Sequence, residues 1–376
     1  MHIPHLLPTI ATVSSDGSPF LSFANADGKR WVMPEQDMGV ALQLYQPSGL
    51  KGKLLKWLFP YLYRIKAVQH AVRAERMRLT LTPAFKAQLE THFGTEPLAF
   101  AIFCGTPCVH QKFTIQISRG HQILGYAKVS DNTEVVGLFE READTMRYLA
   151  TRGVMHVPQC LFCGTLTEGV GVFIQSTAKT IHATTDHHWS SRTSNFLKTI
   201  YAQTKQFLPF EQTDFYTDLH YLSSHFHSFS AQDQTLLKHA VEQQFTLCGS
   251  NVCYGFYHGD FTPWNTYIER GVLYAFDLEY ARRTYPPYLD YWHFYTQTAI
   301  FAQGRSAADI LLHYKVDAQA CGLFAPHDIA TSYTAYLLAV IAHYTHRERG
   351  RFEGDIVRSM ALWLDLLRML LGQNAI

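Results

Sequence analysis

Residues 256–281, FYHGDFTPWNTYIERGVLYAFDLEYA, set His258, Asp260, Asn265, Asp277 and Glu279 into a run that otherwise reads as aromatic core. Charged and polar groups are costly to bury unless each finds a partner, so such a cluster needs a chemical reason. Asp260 and Asn265 stand five apart. The following NTYIE, the turn RG and VLYAFD read as a hairpin that brings Asp277 back beside them. A carboxylate to orient an attacking hydroxyl, with an amide oxygen and a second carboxylate for a divalent cation, is the donor set that phosphoryl transfer needs. Hard oxygen ligands suit magnesium rather than zinc. Taken singly, each residue is ordinary: a capping aspartate, a turn asparagine, a strand-end aspartate. Their joint spacing is what points to chemistry.

HGDFTPWN followed by FDLEYA resembles the catalytic segment of the aminoglycoside phosphotransferase and choline kinase-like superfamily, small-molecule kinases with the protein-kinase fold. The resemblance runs in segment order over about residues 98–300 and is sharpest over 257–281. The D-x-x-x-x-N spacing also matches the protein-kinase catalytic loop, with DLE standing where those enzymes have D-F-G. The resemblance implies an α+β, two-lobed protein-kinase-like fold, a small antiparallel β lobe plus a larger α-helical lobe. It makes Asp260 the catalytic base and has His258 brace its loop. Asn265 and Asp277 become magnesium ligands, and Glu279 a second-metal or hydrogen-bonding partner. Asp290 becomes a buttress of the loop.

The same fold requires a strand lysine for the nucleotide phosphates and a helix glutamate to orient it. In QILGYAKVS, Lys128 falls near the end of a strand, on a face shared with Leu124 and Tyr126. Fourteen residues on, LFEREADTM offers Glu142 on an amphipathic helix, with Glu140 as its competitor. The phosphate loop departs from G-x-G-x-x-G. FCGTPCVHQKF offers Gly105 and Thr106, whose backbone N–H groups can approach phosphate, with Lys112 as added charge; a plain hairpin turn accounts for the segment equally well. Phe173–Ser176 is expected to link the lobes. Tyr285, Tyr288, Tyr291 and Trp292 are candidates to line an acceptor pocket, although aromatic residues in such a run are more often core.

Composition narrows the remaining classes. In 376 residues, 47% are hydrophobic and 17% charged, which excludes general disorder. A net charge of +1 gives no global reason to expect nucleic acid. The seven cysteines include CLFC, but that motif follows Val-Pro and reads as a strand, so reduced thiols in a cytoplasmic protein are the expectation. No convincing signal peptide opens the sequence, and no apolar run reaches the roughly 18 residues that cross a bilayer.

Along the chain, the pattern divides into residues 1–95, an N-terminal extension; 96–176, a β-rich nucleotide-binding lobe; and 177–376, a helical catalytic and substrate lobe. The extension holds a hairpin at NADGKRWVMP and a helical stretch from Leu50 to about Met77, interrupted at Pro60. Five strands and one helix follow, then helices near 191–208, 213–229, 231–248, 288–302, 328–346 and 353–372. Residues 51–78 carry eight Lys and Arg against Glu75 alone. Such a segment can lie weakly on an anionic membrane surface, but the favoured reading is a surface helix whose apolar stripe packs on the small lobe.

The expected activity is therefore transfer of phosphate from ATP, with Mg²⁺, to a hydroxyl of a small molecule such as a sugar, amino sugar, amino alcohol or aminoglycoside. Two rivals belong to other classes: a kinase-like nucleotide-binding protein without activity, and a metal-dependent hydrolase using His258, Asp260 and Asp277.

Overall fold

The computed structural model describes residues 4–25, 27–47, 50–108, 110–247 and 253–373; Cys248 lies outside them. The chain forms two compact units, one of residues 1–150 and 157–183, the other of 151–156 and 184–376.

The first unit is built on one antiparallel sheet of eight strands: β1 (Ala11–Ala24), β2 (Arg30–Pro34), β3 (Glu75–Leu81), β4 (Ala99–Phe103), β5 (Phe113–Arg119), β6 (Gln122–Ser130), β7 (Cys160–Thr167) and β8 (Val170–Ser176). Their order is β3-β1-β2-β4-β5-β6-β8-β7. Period-two alternation sorts the side chains. Phe20, Val32, Ile102, Ile115, Ile117, Ala127 and Val129 face one core, which helix Pro83–Phe93 covers with Phe85 and Leu89. Leu21, Trp31, Met33 and Ala101 face another, covered by Phe59 and Tyr63 from the segment after β2.

The expected boundary near residue 95 is not where this unit begins. β2 pairs with β4 through Trp31–Phe103 and Val32–Ile102, so the N-terminal third is part of the same sheet. The reason is an edge: without β2, β4 would present a row of unpaired backbone groups. The helical stretch is also shorter than expected. Pro60 lies inside α1 (Leu50–Leu62) without ending it, and after α2 (Lys66–Ala71) the chain turns into β3. There Met77 and Leu79 are buried while Arg76 and Arg78 face out, a strand alternation that the arginines disguise as a continued basic helix. Phe173–Ser176, expected as a linker, lie within β8 and pair with both β6 and β7. The helix after β6 is α3 (Thr133–Thr151).

The second unit is mainly helical: α4 (Ser191–Thr204), α5 (Asp214–Ser224), α6 (Ala231–Leu247), α7 (Leu289–Gln297), α8 (Ala307–Cys321), α9 (Ile329–Arg347) and α10 (Asp355–Gln373). Between α6 and α7 run β9 (Cys253–Tyr257), a hairpin of β10 (Thr266–Glu269) and β11 (Val272–Ala275), and β12 (Arg282–Tyr285), which pairs with β9. The sequence reading misses α8, whose ends are well marked by a Ser306–Asp309 capping box and Gly322 in the left-handed region. α9 carries the unit's core, with Tyr333, Tyr336, Leu337, Leu338 and Ile341 all buried.

A chain truncated to begin at residue 96 would bare the edge of β4 and remove half the wall of both cores. It is expected to be insoluble or to unfold at markedly lower temperature than the full chain; equal thermal unfolding would refute the continuity of the sheet.

Candidate functional site

In the sheet unit, alternation along β6 sends Lys128 to the face opposite Ala127 and Val129. A register shift in the β5–β6 pairing between Ile117 and Ser118 puts Leu124 against the Ala127 cluster, so Leu124 does not share the face of Lys128 as expected. Lys128 is 6% exposed and Glu142 is fully buried, and Lys128 Nζ donates to Glu142 Oε2 at 2.6 Å. The Phe173 ring lies beneath the ammonium at 5.8 Å. Glu140, two residues earlier on α3, points to solvent, which decides between the two glutamates.

Gly105 follows β4 with φ +72°, and a Cβ there would stand 2.4 Å from the Lys112 carbonyl oxygen. The turn therefore requires glycine for close backbone approach. Thr106 beside it is exposed.

In the helical unit, β9 runs into His258-Gly259-Asp260, and the geometry there is over-determined. Asp290, on the first turn of α7, is buried and accepts from the backbone N–H groups of His258 at 2.9 Å and Gly259 at 3.2 Å. Gly259 has φ +80°, and a Cβ on it would meet the Tyr280 carbonyl oxygen at 2.6 Å. His258 ties the loop to the hairpin: its Nδ1 accepts from the Asp260 N–H at 3.3 Å, and its Nε2–H donates to the Phe276 carbonyl at 3.0 Å. Burial pushes the ring's pKa down to about 4, against the nearby charges of Asp260 and Asp277. A neutral ring with one donor and one acceptor is what both bonds need. Burial also raises the Asp290 carboxyl to about 7, although the two backbone donors pull the other way.

Asp260 emerges half-exposed with both oxygens engaged. Asn265 Nδ2 donates to Oδ2 at 2.7 Å and to the Asp260 carbonyl at 3.0 Å, and His293 Nε2 meets Oδ1 at 3.1 Å. Asn265 thus spends its donors on Asp260 and keeps its amide oxygen as an acceptor. The hairpin closes on the same loop, with Phe276 N–H donating to the Asn265 carbonyl at 3.0 Å. Asp277 follows in the left-handed region at φ +67°, unusual for a residue other than glycine. An oxygen of Asp277 and one of the buried Glu279 lie within 4.8 Å of each other.

His293 is the residue that sequence reading misses. It is buried, and its Nδ1 has no hydrogen-bond partner among the described residues. Its signal was available: three residues after Asp290 on a helix, it faces the same loop.

Two cavities flank α7. One of about 40 Å³ opens beside Asp260 and is lined by Tyr257, Tyr280, Tyr285, His293, His343 and Tyr344 among others. The other, of about 540 Å³, lies on the face of α7 carrying Tyr291 and Phe294, with Thr298 just past the helix end and Trp189 as a wall. Of the four expected acceptor aromatics, Tyr285 lines the first cavity and Tyr291 the second. Tyr288 instead packs on Tyr201, and Trp292 is core, stacked on Tyr333 with ring centroids 4.3 Å apart.

These elements make an α+β chain that resembles the small-molecule kinases of the aminoglycoside phosphotransferase and choline kinase group. Among solved structures, it is similar to a thermostable mutant of aminoglycoside phosphotransferase APH(4)-Ia, with 11% identity over 77% of this chain and 99% of that one, at a TM-score of 0.49. Another mutant of that enzyme, in ternary complex with ADP and hygromycin B, gives 13% identity over 76% and 96%, at 0.49. Choline kinase LicA from Streptococcus pneumoniae gives 15% identity over 76% and 97%, also at 0.49. No protein-family model and no curated protein matches the chain. At such scores, function rests on the residues of this chain.

Two outcomes follow. Glu142→Gln removes the carboxylate that the buried ammonium meets at 2.6 Å and is expected to cost about 3–5 kcal/mol in denaturant unfolding; a change within error would show the pair to be dispensable. His258 is expected to stay neutral by NMR from pH 7 down to about 4. The unfolded ring protonates near 6.5, so acidification through that window favours the unfolded chain. The stability advantage of the native chain over His258→Gln should therefore shrink from pH 6.5 to 4, a difference that cancels the opposite contribution of Asp290. A ring titrating near 6.5 in the folded protein would refute this.

Proposed function

We propose that the protein is an ATP- and Mg²⁺-dependent phosphotransferase acting on a hydroxyl of a small molecule. The observation that carries this reading is the state of Asp260: a half-exposed carboxylate aimed by Asn265 and His293, on a loop clamped by Asp290. A general base must be available to solvent and held in one direction, and Asp260 meets both conditions. Each of its oxygens keeps a further lone pair for an incoming hydroxyl proton.

The donors around it fit magnesium. Asn265 Oδ1, Asp277 and Glu279 supply hard oxygens and no sulfur or imidazole. Bound magnesium would neutralise phosphate charge and align the transferring group. Lys128, oriented by Glu142, is assigned to the nucleotide phosphates, and the backbone of Gly105 and Thr106 to their covering turn. His258 and Asp290 act through the loop they hold, as positioning residues.

The cavity beside Asp260 suggests how the acceptor is presented. A hydroxyl-sized group fits the roughly 40 Å³ next to Asp260. Asp218 at its wall is paired with Arg282 at 3.1 Å and accepts from the Tyr285 hydroxyl, which leaves Asp260 as the carboxylate without a cationic Lys or Arg beside it among those lining the cavity.

ADP release measured over a library of hydroxyl-bearing metabolites tests the proposal. With an accepted substrate, Asp260→Asn should lower kcat by about 10²–10⁴-fold while nucleotide affinity is nearly unchanged. Undiminished kcat in that variant overturns the role of Asp260. Tight MgATP binding without turnover of any acceptor would instead identify an inactive nucleotide-binding relative.

A further inference from the structure

α1 carries two apolar stripes where a surface helix needs one. Leu55, Phe59 and Tyr63 pack into the core formed with Phe23, Trp31 and Met33, as the sequence pattern leads one to expect. Among the described residues, nothing covers the second stripe. Leu54, Trp57 and Tyr61 recur at intervals of three or four and so share one face, and Ile65 follows in extended backbone just past the helix end. They are 56%, 68%, 79% and 49% exposed. Isolated exposed apolar side chains are common, but an aligned row with a tryptophan and a tyrosine at its centre is a contact surface.

The helix and the turn after it carry charges of one sign, while Glu35 and Asp37 line a cavity with Pro60, Tyr63 and Arg64 at the end of the helix. From Lys51 to Ala74 the sequence has six Lys and Arg and no Asp or Glu. Lys53 on the helix, Arg64 on the turn after it, Lys66 at the start of α2 and Arg73 just past its end are exposed. We propose that this face docks the protein on an anionic lipid surface, with Trp57 and Tyr61 at the headgroup boundary, Leu54 and Ile65 deeper, and the cations against lipid phosphates.

Three features favour lipid over a protein partner. The stripe lies on one helix, and the nearby cavity of about 450 Å³, lined by Glu35, Asp37, Pro60, Tyr63 and Arg64 among others, includes none of Leu54, Trp57, Tyr61 and Ile65. A two-fold pairing of identical copies through it would set like charges together. Long lysine and arginine stems can lie along an apolar surface while their charged ends reach phosphate. No helix among the described residues is long and apolar enough to cross a membrane, so the mode of binding is peripheral.

Vesicle flotation of the full chain tests this, using phosphatidylcholine alone and phosphatidylcholine mixed with phosphatidylglycerol. Binding is expected to the mixed vesicles only, and to fall when salt rises from about 0.1 to about 0.5 M. The pair Trp57→Ala/Tyr61→Ala should weaken it by about tenfold or more. Lys53→Glu/Lys66→Glu should weaken it by at least about fivefold per residue. All four side chains face solvent, so thermal unfolding should match the native chain and separate loss of docking from loss of fold. Equal binding to neutral vesicles, no binding to either, or variants that bind like the native chain would overturn the proposal. So would a lipid-free dimer that Trp57→Ala/Tyr61→Ala dissolves, which would make the stripe a protein interface.

Discussion

A buried carboxylate holding two backbone N–H groups is the constraint on which the candidate site depends. Asp290 takes the amides of His258 and Gly259 at 2.9 and 3.2 Å, and so fixes the chain direction as it leaves β9. Burial of the carboxyl raises its pKa to about 7, while the two backbone donors act in the opposite direction and favour the ionised form. Gly259 makes the grip geometrically available, because its positive φ lets the loop pass the Tyr280 carbonyl. With that turn set, Asp260 has one direction to point. Asn265 and His293 then hold it there, the first from the hairpin side and the second from α7. Networks of this kind resist relaxation, since moving one member leaves another buried without a partner.

The sheet unit solves the same electrostatic problem with a simpler arrangement. A lysine at 6% exposure on the face of a β-strand is tolerable only beside a counter-charge, and Glu142 supplies it from α3 at 2.6 Å. The pair is weak support for stability, because two buried ions lose about as much hydration as they gain in attraction. Its worth lies in direction: the ammonium is held on one face of β6 in a single orientation. Both units thus spend folding free energy on aiming a charged group rather than on packing.

The N-terminal third changes how the sheet unit is understood. β1, β2 and β3 extend the sheet past β4, and the helices between β2 and β3 close one face with Phe59 and Tyr63. That covering segment is also the most basic of the chain and the one with an uncovered aromatic row. An extension that serves both as wall and as contact face explains its mixture of apolar and cationic residues better than either task alone.

The division between what sequence and tertiary structure decide follows the range of the interactions. Asp260, Asn265 and Asp277 are legible because a short loop and a two-residue turn bring them together within one segment, and the strands from Leu98 to Ser176 because period two is a local pattern. α8 was equally local and was overlooked, with its capping box in view. Other features needed the folded chain. Alternation could place Lys128 on a strand face, but only packing of α3 on the sheet could choose Glu142 over Glu140. β3 could not be separated from a basic helix until its partner β1, some sixty residues earlier, gave it a ladder. His293 reads as one more core residue until α7 turns it toward Asp260. The two stripes of α1 are alike in hydrophobicity, and which of them meets the core and which meets solvent is set by the position of the sheet. Spacing along the chain determines which groups can meet locally; the packing of distant elements decides which of them do, because burial is a property of the surroundings rather than of the residue.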